Sequence, residues 1–106
     1  MLKIATTLLL AAVTASPALA TSGPGCLVVV NVARNDALNV RAAPSSSARI
    51  VDVLPPGRHG IIHLDADCTP KSQPWASRWC PITHYNGDSV RKGWIKARYV
   101  RDSDCP

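Results

Sequence analysis

Leu38-Asn39-Val40-Arg41-Ala42-Ala43-Pro44-Ser45, followed by Ile50-Val51-Asp52-Val53-Leu54-Pro55-Pro56-Gly57, is the stretch that decides the fold. Two short apolar, β-branched runs are separated by Ala43-Pro44-Ser45-Ser46-Ser47, and the second closes on a Pro-Pro-Gly turn. Outward from it the same rhythm continues. Leu27–Val32 precedes it, ending in a polar turn at Arg34-Asn35-Asp36, and Arg58–Leu64 follows it. After a polar loop over Asp65–Ser77 come Trp79–Tyr85, a turn at Asn86-Gly87-Asp88, and Lys92–Ile95. No window keeps a helical apolar period for three turns, and 9 prolines are scattered along the chain. Short strands with frequent turns predict a small all-β barrel or sandwich. Side-chain parity predicts Val51 and Val53 in the core, with Leu54 turning inward at the strand end, and Ile95 rather than Trp94.

The 106 residues carry 12 Lys and Arg against 7 acids, a formal charge of +5; every acid is Asp. Hydrophobic residues are 46% and charged ones 18%, which argues against wholesale disorder. That length suits one small domain and excludes a multidomain enzyme, a coiled coil and a long acidic tail. Residues 1–20 read MLKIATTLLLAAVTASPALA: a lysine, an apolar stretch, then Ala18-Leu19-Ala20 as a small-x-small cleavage pattern. We expect a secretory signal over 1–20, a short linker over 21–25 and one domain over 26–105. The Leu8–Val13 run is too short to cross a membrane, so no span is expected after cleavage. Periplasmic or secreted location follows.

Export governs the reading of Cys26, Cys68, Cys80 and Cys105. Four cysteines in a short exported chain suggest two disulfides, with three possible connectivities. The nested one, Cys26–Cys105 with Cys68–Cys80, is favoured; loop entropy assigns such bridges roughly 4.5 and 3 kcal/mol. A zinc site built from His59, His63, Cys68, Cys80 and His84 lacks any C-x-x-C pair and is disfavoured in an oxidising compartment.

The two stretches quoted first resemble the opening signature of bacterial Src-homology-3 (SH3b) domains: Leu-Asn-Val-Arg, two small residues, Pro-Ser, then a strand running into a Gly turn. Gly93-Trp94-Ile95-Lys96-Ala97-Arg98-Tyr99-Val100 resembles that family's closing strand and short helical turn, and Trp79-Cys80 sits where members carry a Trp opening a central strand. The resemblance covers about residues 26–101. Ala42-Ala43 departs from the Ser-Gly of many members, and the Asp65–Ser77 and Asn86–Arg91 loops are longer. What the resemblance implies is an SH3-like barrel of five to six short, mostly antiparallel strands with termini close together, which supports pairing Cys26 with Cys105 and lets Cys68–Cys80 staple neighbouring strands. It also implies a non-catalytic binding module of the cell envelope.

The residues themselves offer no catalytic site. There is no G-x-S-x-G or H-E-x-x-H motif. Cys80 and His84, four apart on a strand, stand about 13 Å apart along it. Neither metal nor cofactor is expected, and Asp65, Asp67 and His63 read as solvated loop residues. Candidate binding residues are Trp75, a large ring in a polar loop; Trp79 and Tyr99, as walls of an aromatic groove; and Arg78, Arg91, Lys92, Lys96, Arg98 and Arg101, as one basic face. For each aromatic, packing on the barrel is the competing role. Arg41 reads first as a hydrogen-bond hub for its loop, through carbonyl oxygens or Asp52, and second as a ligand contact. The expected ligand is peptidoglycan stem peptide or an envelope protein, not nucleic acid, which that compartment lacks. The alternative is an accessory subunit or inhibitor acting only within a protein complex.

Overall fold

The computed structural model describes residues 25–106. The expected signal and residues 21–24 of the expected linker lie outside them. Seven strands form: β1 Gly25–Val29, β2 Leu38–Arg41, β3 Ile50–Leu54, β4 Ile61–Leu64, β5 Trp79–Asn86, β6 Ser89–Lys96 and β7 Val100–Ser103. Two single 3₁₀ turns, Trp75–Ser77 and Ala97–Tyr99, complete the described elements. All strand pairings are antiparallel, in the order β3-β2-β6-β5-β4-β1-β7. This is the all-β, SH3-like architecture, with one strand more than expected and with the sheet's two outer strands not hydrogen-bonded to each other. The additional strand, β7, is polar beyond Val100 and offers no alternation to read. It exists because β1 pairs with it along its whole length, from Cys26↔Ser103 to Val29↔Val100.

Boundaries moved for local reasons. Gly25, expected in the linker, already belongs to β1 and pairs with Leu64. The same strand stops at Val29 rather than Val32, because Asn31 adopts a left-handed backbone (φ 58°). The fourth strand starts at Ile61 rather than Arg58, after Gly60 at φ 75°.

Each strand sends alternate residues inward. Leu27, Val40, Leu54, Ile62, Ile82, Ile95 and Val100 are all fully buried in one cluster, joined by Leu38, Leu64 and Ala97. Ile95 is the core residue of its pair, as parity predicts. In β3 parity misleads. Val53 is 47% exposed and Val51 half-buried, while Leu54 is fully buried. The register explains it: Leu38 faces Leu54 and Val40 faces Asp52, so the inward face of β3 carries Leu54 and Asp52. An aspartate on an inward face needs a partner. His84 Nδ1 donates to Asp52 Oδ2 at 2.6 Å, the other ring nitrogen meets the His59 carbonyl oxygen, and Asp52 Oδ1 accepts the Val53 N–H at 2.9 Å. This buried tie links the outer strand β3 to β5, three places away in the sheet, where no backbone ladder does.

Disulfides join Cys26 to Cys105 and Cys68 to Cys80, at sequence separations of 79 and 12. The first ties the start of β1 to the end of the chain. The second anchors the Asp65–Arg78 loop on β5, beside the Thr69↔Trp79 bridge. Cys68 and Cys80 are joined to each other and His84 Nδ1 is bonded to Asp52, so neither cysteine offers a free thiol.

Strand β2 meets β6 through a single pair, Arg41↔Trp94, next to Gly93. A Cβ on Gly93 would come within 2.5 Å of Val40 Cγ1 and 2.7 Å of the Arg41 carbonyl oxygen. Gly93→Ala is therefore expected to cost about 2–3 kcal/mol through overpacking, read as a lower urea midpoint. Asp52→Ala strands the His84 ring in the interior and is expected to cost roughly 3 kcal/mol in the same measurement.

Candidate binding cleft

The connection between β1 and β2, residues 30–37, does not pair with the sheet. It folds toward the second 3₁₀ turn instead. The Val30 N–H donates to the Tyr99 carbonyl at 2.8 Å, and the Asn31 Nδ2 donates to the Arg98 carbonyl at 3.0 Å. Asn tolerates the left-handed backbone that aims its side chain there. Farther along, the loop turns back on itself: the Asp36 N–H donates to the Ala33 carbonyl, and the Asp36 carboxylate accepts the Ala37 N–H at 2.7 Å. Between this loop, β2 and the 3₁₀ turn lies a cleft of about 580 Å³.

Five of the ten residues singled out from sequence line it: Arg41, Trp79, Lys96, Arg98 and Tyr99. Trp79 opens β5 and stands directly across from Lys96 of β6, whose ammonium rests 4.9 Å from the indole centroid. Such a contact is worth about 0.5–1 kcal/mol at a partly exposed site. Tyr99 is half-buried, packing on the core from one side and lining the cleft from the other. Arg41 sits on the outward face of β2, and one guanidinium nitrogen donates to the Ala48 carbonyl at 3.1 Å. It is a hub for the Ala42–Arg49 loop and a cleft residue at once. Its carboxylate alternative, Asp52, is on the other face and belongs to His84.

Trp75 is not among the residues lining the cleft; it is 40% exposed in the first 3₁₀ turn. The late basic residues do not make one face either. Arg78 is folded onto its own loop, donating to the Gln73 and Lys71 carbonyls; Arg91 donates to Val51; Lys92 belongs to a separate network; Arg101 lies on β7. Only Lys96 and Arg98 of the six reach the cleft. The sequence reading missed Asn31, Asp36 and Ser46, three polar loop residues: Asp36 and Ser46 were visible only as turn residues, and Asn31 was read as part of the first strand.

A second polar cluster lies on the outward face of β4, β5 and β6, where His63, Thr83 and Lys92 are register neighbours. His63 Nδ1 donates to Asp65 Oδ1 at 3.0 Å, the Thr83 hydroxyl donates to Asp65 Oδ2 at 2.7 Å, and Lys92 Nζ donates to the Thr83 oxygen at 2.7 Å. Desolvation raises the Asp65 carboxyl, but the hydrogen bonds from His63 and Thr83, helped by the charges of Lys92 and His63, outweigh it and hold the group below its ordinary value.

The chain belongs to the bacterial SH3 domain family: the family described as "Bacterial SH3 domain" matches residues 36–101, more than half of it. No curated protein and no solved structure matches the chain. Bacterial SH3 domains are generally non-catalytic binding modules, commonly related to the cell wall, with protein or cell-wall ligands. The two disulfides are compatible with an extracellular or periplasmic protein, and no helix among the described residues is long and apolar enough to cross a membrane.

Because Asp65 titrates lower in the folded chain than in the unfolded one, its stabilising contribution is present above the ordinary carboxylate range and is lost as pH falls through the lowered value. Asp65→Asn is thus expected to be less stable than wild type at neutral pH. Urea midpoints of the two proteins should converge on acidification.

Proposed function

We propose that this protein is an exported, non-catalytic module of the cell envelope that recognises peptidoglycan stem peptide through the cleft between residues 30–37 and the Ala97–Tyr99 turn. The observation that carries this reading is the cleft itself. Its loop wall is fixed by main-chain and Asn31 bonds, and Trp79 and Tyr99 line it beside three cations. Two aromatic side chains among polar ones, with the loop wall already bonded in place, suit a short peptide, because little order has to be imposed on binding. Disulfides and the apolar leader of the sequence support an oxidising compartment, which holds that ligand.

The reading in which the chain serves inside a protein complex draws on a different surface. Ile61, Tyr85 and Val90 are direct register neighbours across β4, β5 and β6, and they are 39%, 43% and 58% exposed. Three adjacent apolar side chains on the outward face are a place for an envelope protein to rest.

Pull-down of the oxidised protein on purified sacculi tests the first reading. Tyr99→Ala should lower recovery roughly tenfold, the loss of one buried aromatic contact, whereas Trp75→Ala, away from the cleft, should be recovered like wild type. Failure of wild type to sediment with sacculi removes the wall ligand; co-purification with one envelope protein, lost in Tyr85→Ser/Val90→Ser, would establish the second reading.

A further inference from the structure

We infer that the group recognised in the cleft is a peptide carboxylate, held by Arg98 and Lys96 together with Arg41. This rests on the cleft being the binding site and names the chemistry of what enters it. Lys71 is paired with Asp67 at 2.7 Å, and Lys92 lies 3.6 Å from Asp65. Arg78 and Arg91, like Arg41, donate to carbonyl oxygens, which leaves their charge uncancelled. What sets the cleft apart is convergence: Arg41, Lys96 and Arg98 line one space, and among the described residues no carboxylate pairs with any of them.

Asp36 also lines the cleft, but one of its oxygens is committed to the Ala37 N–H and it makes no ion pair with the three cations. Lys96 has only the neutral Trp79 ring as partner, which holds the ammonium in place without cancelling its charge. Arg98 has its backbone fixed through the Asn31 bond to its carbonyl. Its backbone position is set before any ligand arrives. Positive charge gathered on one cleft and left without a carboxylate partner is complementary to an anion, and a carboxylate fits a guanidinium fork with two parallel hydrogen bonds. Trp79 and Tyr99 in the same cleft demand an apolar neighbour to that anion, which a peptide supplies and a bare phosphate or sulfate does not.

The test compares native sacculi with sacculi whose carboxyl groups have been amidated by carbodiimide and ammonia. Wild type is expected to lose about tenfold of its recovery on the amidated material. Arg98→Gln/Lys96→Gln, which removes both charges while keeping part of each aliphatic stem, should lose about as much on native sacculi and become indifferent to amidation. Arg101→Gln, on β7, is the control for mere loss of charge and should behave like wild type. Equal recovery of wild type from native and amidated sacculi overturns the carboxylate and leaves the cleft as a binding site. No recovery from native sacculi overturns the wall reading and the carboxylate with it.

Discussion

The architecture hangs on a seam one residue pair wide. In backbone pairing, strands β3 and β2 join the other five described strands through Arg41↔Trp94 alone, and Gly93 lets β6 come against Val40 and the Arg41 carbonyl there. On the inner side the seam places Val40 and Ile95 in the core. On its outer side lie Arg41 and Trp94, and two residues farther along β6 stands Lys96, at the mouth of the cleft. One close approach therefore sets both the packing of the interior and the spacing of the residues that line the cleft. A side chain at Gly93 would force these apart together.

Because so little backbone pairing holds β3, side chains supply the remainder. Asp52 reaches His84 across the interior, and His84 reaches the carbonyl of His59 just before β4. The cost of burying a charge-bearing pair is offset only when each polar atom finds a partner, and among the described residues none of the buried side-chain nitrogens or oxygens is left without one. The two disulfides act elsewhere, at the end of the chain and at the base of the Asp65–Arg78 loop. Strand edge, terminus and long loop each receive a separate restraint, as a small core requires.

The cleft and the second polar cluster show two uses of the same outward surface. Around Asp65 every charge is answered by another, which locks β4, β5 and β6 together at their middle. Around the cleft, Arg41, Lys96 and Arg98 converge without a carboxylate partner among the described residues. That contrast, not the count of basic residues, is what the proposed carboxylate site rests on.

Much of this was legible in the chain before folding. Alternating apolar residues fixed six of the seven strands, the motifs Leu38–Ser45 and Gly93–Val100 marked the family, and the cysteine count with an apolar leader implied two bridges. The aromatic and basic candidates were visible as residue types, and five of them came together. What could not be read was facing and partnership. Val51 and Val53 look like core by hydrophobicity, yet cross-strand register turned Asp52 and Leu54 inward, because Val40 and Leu38 stand opposite them. Six late basic residues look like one face, yet local carbonyls and Asp65 consume four of those positions' reach or place them elsewhere. Strand β7 has almost no apolar signal and exists only because β1 needs a partner. Periodicity and turn chemistry are local, so sequence carries them; which side chain answers which across the sheet depends on contacts distant along the chain, and only the folded structure decides that.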